Sequence, residues 1–178
     1  MKRILSLLFL CLFLPAVALA DEPFTFRNGY TWGMAQSDAE ALAHDDGLYI
    51  DISNDPGILT YENVPAGDFT AATFQLVFKN SETGDITYHG TLSGIIYTFP
   101  SIQKDSNEAA AQLQSLVEAL RNTYGEPADS SNISYKWKLP DTTIVLMRSF
   151  DTAYTDDTMI YYSITYRPSH NVIVRNGL

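Results

Sequence analysis

Between Asp105 and Tyr124 the chain carries Leu113, Leu116, Val117, Leu120 and Tyr124 at helical spacing, with polar residues between them. One apolar stripe of that kind makes an amphipathic helix that must bury one side against something flat and apolar. Asp105 reads as the cap and Glu108, three residues on, completes a capping box. Gly125 is placed to stop the helix and Pro127 to prevent its return. The residues after Pro127 supply the flat surface. Ile133, Tyr135, Trp137 and Leu139 alternate with Ser134, Lys136 and Lys138. Pro140-Asp141 fits the centre of a tight turn, Thr142–Ser149 returns antiparallel, and Ile160, Tyr162, Ile164 and Tyr166 mark a last strand before Pro168.

The first half repeats that order on a smaller scale. A short helix is expected over Gln36–His44, with Ser37-x-x-Glu40 as a capping box or, alternatively, a start after Ala35 that puts Asp38 third. Asp45-Asp46-Gly47 ends it. Leu48, Ile50 and Ile52 predict a strand, Asn54–Gly57 a turn, and Ile58–Val64 a second strand. Asp68–Lys79 is the clearest strand of this half, with Ala72, Phe74, Leu76 and Phe78 on one face and Thr73, Gln75 and Lys79 on the other. Ile86–Phe99 reads as one further strand. Its alternation breaks between Leu92 and the Ile95-Tyr97-Phe99 set, which predicts a bulge at Ser93-Gly94. Helix then strands, twice, predicts an α+β fold: a curved antiparallel sheet with two helices on one face, built from tandem units.

Residues 1–20 form a different kind of segment. Lys2 and Arg3 precede an apolar run from Ile4 to Leu14, and Ala18-Leu19-Ala20 offers small residues at −3 and −1 of a cut before Asp21. That is the layout of a secretory signal peptide, so a secreted or periplasmic protein is expected, with a single domain over 21–178. Cys11, the single cysteine, lies mid-core after Phe9-Leu10 rather than at the cleavage point where a lipid-bearing cysteine would stand. The trimmed chain would hold no thiol and would depend on burial alone. No segment after the leader reaches the ~20 apolar residues that a membrane-spanning helix needs. The formal charge of −10 repels phosphate backbones, which argues against nucleic acid as a partner.

The residues complete none of the common chemical motifs. Asp51, Ser53, Asp55 and Glu62 have calcium-loop spacing, but Pro56 stands where the loop needs glycine and no helices flank it. His44, His89 and His170 share no metal-ligand spacing. There is no Gly-x-Ser-x-Gly elbow and no phosphate-cradling glycine loop. No catalytic, cofactor-binding or metal-binding residue is therefore assigned. Tyr135 and Trp137 share parity with Ile133 and are expected to pack beneath the long helix. Tyr161 has the opposite parity to Ile160-Tyr162-Ile164 and is expected on the sheet's open face.

Trp32-Gly33-Met34 opening a short helix, Tyr97-x-Phe99, a long helix closing in Tyr124-Gly125-Glu126-Pro127, a strand centred on Trp137 and another from Thr143-Ile144 form a pattern. It resembles a group of secreted bacterial proteins whose layout is similar to the β-lactamase-inhibitor-protein-like fold, shared by the small lipoprotein of the outer-membrane β-barrel assembly machine. Ala35 stands where that group's helix commonly starts with Ser or Thr. The resemblance implies a non-enzymatic binding or scaffold module of the cell envelope or extracellular space, and carries over no functional residue. The alternatives are a secreted hydrolase of carbohydrate or peptidoglycan with two facing carboxylates, and a small-ligand carrier binding between helix and sheet.

The leader makes a direct prediction. N-terminal sequencing of the exported protein should begin at Asp21, and Ala20→Arg should leave the uncut precursor. An exported chain that retains Met1 would contradict it.

Overall fold

The computed structural model describes residues 29–48, 56–154 and 158–169. The leader, most of the Leu48–Ile52 strand, the Asp51–Asp55 part of the calcium-spaced loop, Asp156-Asp157 and His170 lie outside these residues. Helix α1 spans Gln36–Asp45, followed by strands β1 (Ile58–Ala66), β2 (Phe69–Lys79), β3 (Thr91–Thr98) and β4 (Ile102–Gln103). Helix α2 (Asn107–Tyr124) then leads into β5 (Asp129–Ser130), β6 (Ser134–Lys138), β7 (Thr142–Phe150) and β8 (Met159–Pro168). All eight strands belong to one antiparallel sheet, ordered β1-β2-β3-β8-β7-β6-β5, with β4 also pairing β8. The last long strand of each half meets its counterpart at the centre, where Ile95 pairs Tyr166 and Tyr97 pairs Ile164.

Register assigns the two faces. Leu59, Leu76, Ile95, Tyr166, Ile144 and Trp137 form one continuous row from β1 to β6, and all are buried. They share one core with Ala39 and Ala43 of α1 and with Ala109, Leu116, Val117 and Leu120 of α2. Both helices therefore cover the same face, as the alternation predicts. The adjacent row, Thr60, Gln75, Ile96, Thr165, Val145 and Lys136, points the other way and is half-buried throughout.

Two local devices adjust this pattern. Phe78 pairs Leu92 while Val77 pairs Gly94, so Ser93 is the extra residue of a bulge. That bulge turns Leu92 and Ile95, three apart, into the same core, at the place where the sequence parity breaks. In β1, Asn63 adopts a left-handed φ of 53°, and Tyr61 and Val64 on either side of it are both buried. Opposite Val64, Ala71 rather than Ala72 is fully buried, together with Phe74, Leu76 and Phe78 of β2.

Other boundaries differ from expectation for identifiable reasons. The cap of α2 is Ser106, whose Oγ accepts from the Ala109 N–H at 3.0 Å, and not Asp105. Asp105 instead takes a left-handed φ of 63° and makes the bend before the cap. Helix α1 starts after an extended Ala35 with no side-chain cap, leaving Asp38 in its first turn, the alternative start. Ser37 and Glu40 form no box, and Glu40 Oε1 accepts from Gln36 Nε2 instead. The expected strand Ile86–Phe99 is broken: Ile86 makes one bridge to Lys79, and pairing resumes only at Thr91. Between them the chain folds tightly over the end of β2. A Cβ on Gly90 would lie 2.6 Å from Lys79 N, and one on Gly57 2.6 Å from Thr87 N, so only glycine permits this packing. Ile133 lies just outside β6 and is exposed, and the two-residue strands β4 and β5 are too short to leave an alternating signature.

Replacing the observed cap should be costly and replacing the expected one should not. Ser106→Ala should destabilise the fold by about 1 kcal/mol in urea unfolding, whereas Asp105→Gly, which suits the left-handed backbone, should be neutral or stabilising. Equal losses at the two positions would refute the assignment.

Candidate functional site

The segment before α1 is tied into both halves of the sheet. Gly33 N–H donates to the Leu92 carbonyl at 3.1 Å and Leu92 N–H to the Met34 carbonyl at 2.8 Å, so this segment runs beside the start of β3. Trp32 Nε1 donates to Thr142 Oγ1 at 2.9 Å, and that buried hydroxyl donates onward to Asp141 Oδ1 at 2.9 Å. Trp32 thereby closes one side of a cleft of about 500 Å³ at the end of the sheet where β2 and β8 finish and β3 and β7 begin.

Five neighbouring strands supply the cleft's polar groups in alternation. Lys79 comes from β2, Thr91 and Ser93 from β3, Arg167 from β8, Thr143 from β7 and Lys136 from β6. The turn holding Lys79 is ordered by its own hydrogen bonds. Asn80 Oδ1 accepts from Glu82 N–H at 2.8 Å and Thr83 N–H at 3.2 Å, and Gly84 N–H returns to the Asn80 carbonyl at 2.9 Å. The chain has 11 Lys and Arg against 21 Asp and Glu, yet three cations and no carboxylate line this cleft.

The sheet face without helices is the second feature. Ile96 and Val145 lie near its middle, with Met147 on the next row at 42% exposure. Hydroxyl and amide side chains surround them: Thr165 between Ile96 and Val145, and Gln75 donating to Thr60 Oγ1 at 3.3 Å. Lys136 and Lys138 give β6 a cationic border. Tyr161 sits opposite Ser149 on this side, half-buried rather than open.

The aromatic strand residues mostly serve the core. Trp137 is buried and donates from Nε1 to the Gly125 carbonyl at 2.8 Å, which ties the end of α2 to β6. Tyr135 stacks beside it with ring centroids 6.4 Å apart. Tyr162 donates to the Ala109 carbonyl at 3.1 Å in the first turn of α2. Burial pushes the phenols of Tyr61, Tyr124, Tyr162 and Tyr166 above their ordinary value of 10.0. For Tyr166 the neighbouring Tyr124, to which it donates a hydrogen bond, adds to the rise. Asp151 moves the other way: hydrogen bonds from Ser101 and from the Ala153 N–H hold its carboxyl below the usual range.

Among the described residues no group of three or more His, Cys, Asp or Glu is placed to hold a metal ion. His44 is exposed at the end of α1 and His89 is exposed in the turn before β3. A second, shallow groove between α2 and β6 carries Glu118 and Glu126, and Arg121 Nε holds Glu126 at 3.1 Å on the surface. No described helix is long and apolar enough to cross a membrane. No family model, curated protein or solved structure matches the chain.

Sequence reasoning does not single out the cleft's cations. Periodicity puts Lys79 and Lys136 on the polar parity of their strands, but which strands stand side by side depends on the β3–β8 junction. Arg167 lies just past the alternating set.

The tyrosines dictate an alkaline limit. A phenol whose folded pKa is raised favours the fold in full below its unfolded value of 10.0, and that contribution is lost as pH climbs above 10 toward the folded values. Unfolding free energy should therefore fall steeply above about pH 10, with phenolate absorbance appearing together with loss of tertiary structure. Phenolate formation that runs to completion in the folded protein would contradict this.

Proposed function

We propose that this chain is an exported protein-binding module of the cell envelope or extracellular space, and that it recognises its partner through the helix-free face of the sheet. The observation that carries the reading is the composition of that face. An apolar middle of Ile96, Val145 and Met147 is surrounded by Thr and Gln side chains and bordered by Lys136 and Lys138. Protein interfaces have this anatomy, an apolar centre within a polar rim. The lysine border selects a partner with carboxylates at the matching edge. The leader's composition supports export. The doubled order of helix then strands supports the resemblance to the β-lactamase-inhibitor-protein-like layout.

The hydrolase alternative draws less support. It needs two carboxyl groups facing across a cleft, and the cleft at the Trp32 end of the sheet is lined by cations and hydroxyls. Glu118 and Glu126 share the α2 groove, but Glu126 is engaged by Arg121 and its side chain is 79% exposed, which is not the buried setting of a general acid. The carrier alternative places its ligand between helix and sheet, where the α2–β6 groove is open to the surface and the residues beneath it, from Ala109 to Trp137, belong to the packed core.

Photo-crosslinking separates these readings. Benzoylphenylalanine placed at Val145 should capture a discrete protein in the native cell, and the same group at Ser115 on the exposed side of α2 should not. Val145→Lys should abolish capture from a neighbouring probe at Thr165 while leaving the melting temperature within a few degrees. Equal capture from both faces, or from neither, would sink the proposal.

A further inference from the structure

The geometry points to a second binding site: the cleft at the Trp32 end of the sheet takes a small, elongated polyanion, a molecule bearing two or more phosphate or carboxylate groups. Three features converge on this. The first is charge. In a chain of net charge −10, Lys79, Arg167 and Lys136 all line one cleft and no Asp or Glu lines it with them. Such a grouping costs repulsion among the cations, and an anion bound there relieves it.

The second is spacing. The order β2-β3-β8-β7-β6 places the cations on alternate strands, with Thr91 and Ser93 on β3 and Thr143 on β7 between them. Neighbouring cations are thus two strand spacings apart across the sheet, and Lys136 lies a further two residues along from the row of Arg167, so their backbones are separated by at least roughly 10 Å. Charges distributed along a ligand meet these cations with less side-chain extension than one phosphate at Arg167 would demand of both lysines. The Thr91 and Thr143 side chains between them are short enough to leave room and their hydroxyls can donate to anionic oxygens, while the Ser93 hydroxyl is already given to the Thr91 carbonyl at 2.8 Å. Arg167, in the middle, offers the planar fork that suits phosphate and carboxylate.

The third is shape and rigidity. A volume of about 500 Å³ falls in the range of small-molecule sites and is far below a macromolecular interface. Its walls are held in place: Trp32 by Thr142, the Lys79 turn by Asn80, and Gly90 packed on the Lys79 backbone. Asp141 accepts from the Thr142 hydroxyl and does not line the cleft. This site shares Lys136 with the border of the protein-binding face, but its ligand is a small anion tested without any protein partner, so either reading can fail without the other.

Calorimetry at low ionic strength tests it with tripolyphosphate and citrate as probes and acetate as the monoanion control. At least one polyanion should bind saturably at one site, acetate should not, and the Trp32 indole N–H resonance should shift on binding. Tripolyphosphate alone would identify a phosphate ligand class, citrate alone a carboxylate class. Lys79→Gln with Arg167→Gln should weaken binding at least tenfold. Lys104→Gln with Arg121→Gln removes the same charge outside the cleft and should weaken it less than twofold. Should the first pair fail to fold, Lys136→Gln alone should still weaken binding severalfold. Absence of saturable binding by both probes, or equal losses from the two charge pairs, would overturn the assignment.

Discussion

The structure depends on the antiparallel pairing of β3 with β8. These strands are the last long strands of two separate helix-plus-strands halves, and their register, Ile95 with Tyr166 and Tyr97 with Ile164, converts two small sheets into one. Both halves contribute buried residues to one core. Joined, they support a line of aromatic contacts that crosses the junction: Tyr61 to Phe74, Phe74 to Tyr97, Tyr97 to Tyr166 and Tyr166 to Tyr124, with centroids 4.8–6.5 Å apart. Edge-on and offset aromatic pairs of this kind add to the area they bury. The pairing is non-local, so the chain must close a long loop before these contacts form.

The helices are fixed to this sheet by a few polar bonds within an apolar contact. Trp137 reaches the Gly125 carbonyl at the end of α2, and Tyr162 reaches Ala109 in its first turn. Both are buried aromatic groups with a polar tip: Trp137 satisfies a carbonyl at the end of the helix, and Tyr162 adds a donor to a first-turn carbonyl. Trp32 does the corresponding work for the lead-in to α1 through Thr142 on the other half of the chain. Thus each half anchors the other, and the cleft forms where the Trp32 anchor crosses the sheet's end.

Placing both helices on one face leaves the other face uncovered by helix. The same constraint explains the cleft's charge. Cations on alternate strands would be scattered if the halves were separate; the β3–β8 junction brings Lys79 of the first half beside Arg167 and Lys136 of the second. No carboxylate lines the cleft, although Glu82 and Asp85 sit in the same turn as Ser81 and Gly84, which do line it.

Local chemistry was legible in the residues alone. The 3.6-residue stripe of α2, the Gly125 stop, the Pro140-Asp141 hairpin, whose Leu139 N–H bonds to the Thr142 carbonyl, and the bulge at Ser93 all arise from interactions within a few positions. So does the parity that puts Lys79 and Lys136 opposite the core. Three kinds of feature were decided only in three dimensions. Ser106 rather than Asp105 caps α2 because the approach from β4 bends the chain at Asp105. Residues 86–90 leave the sheet because Gly90 and Gly57 allow backbone to press on backbone. The cleft exists because residues 79, 136 and 167 become neighbours through register between halves. Periodicity reports which side of a strand a residue occupies. It carries nothing about which strand lies alongside, since that depends on burying two apolar faces at once.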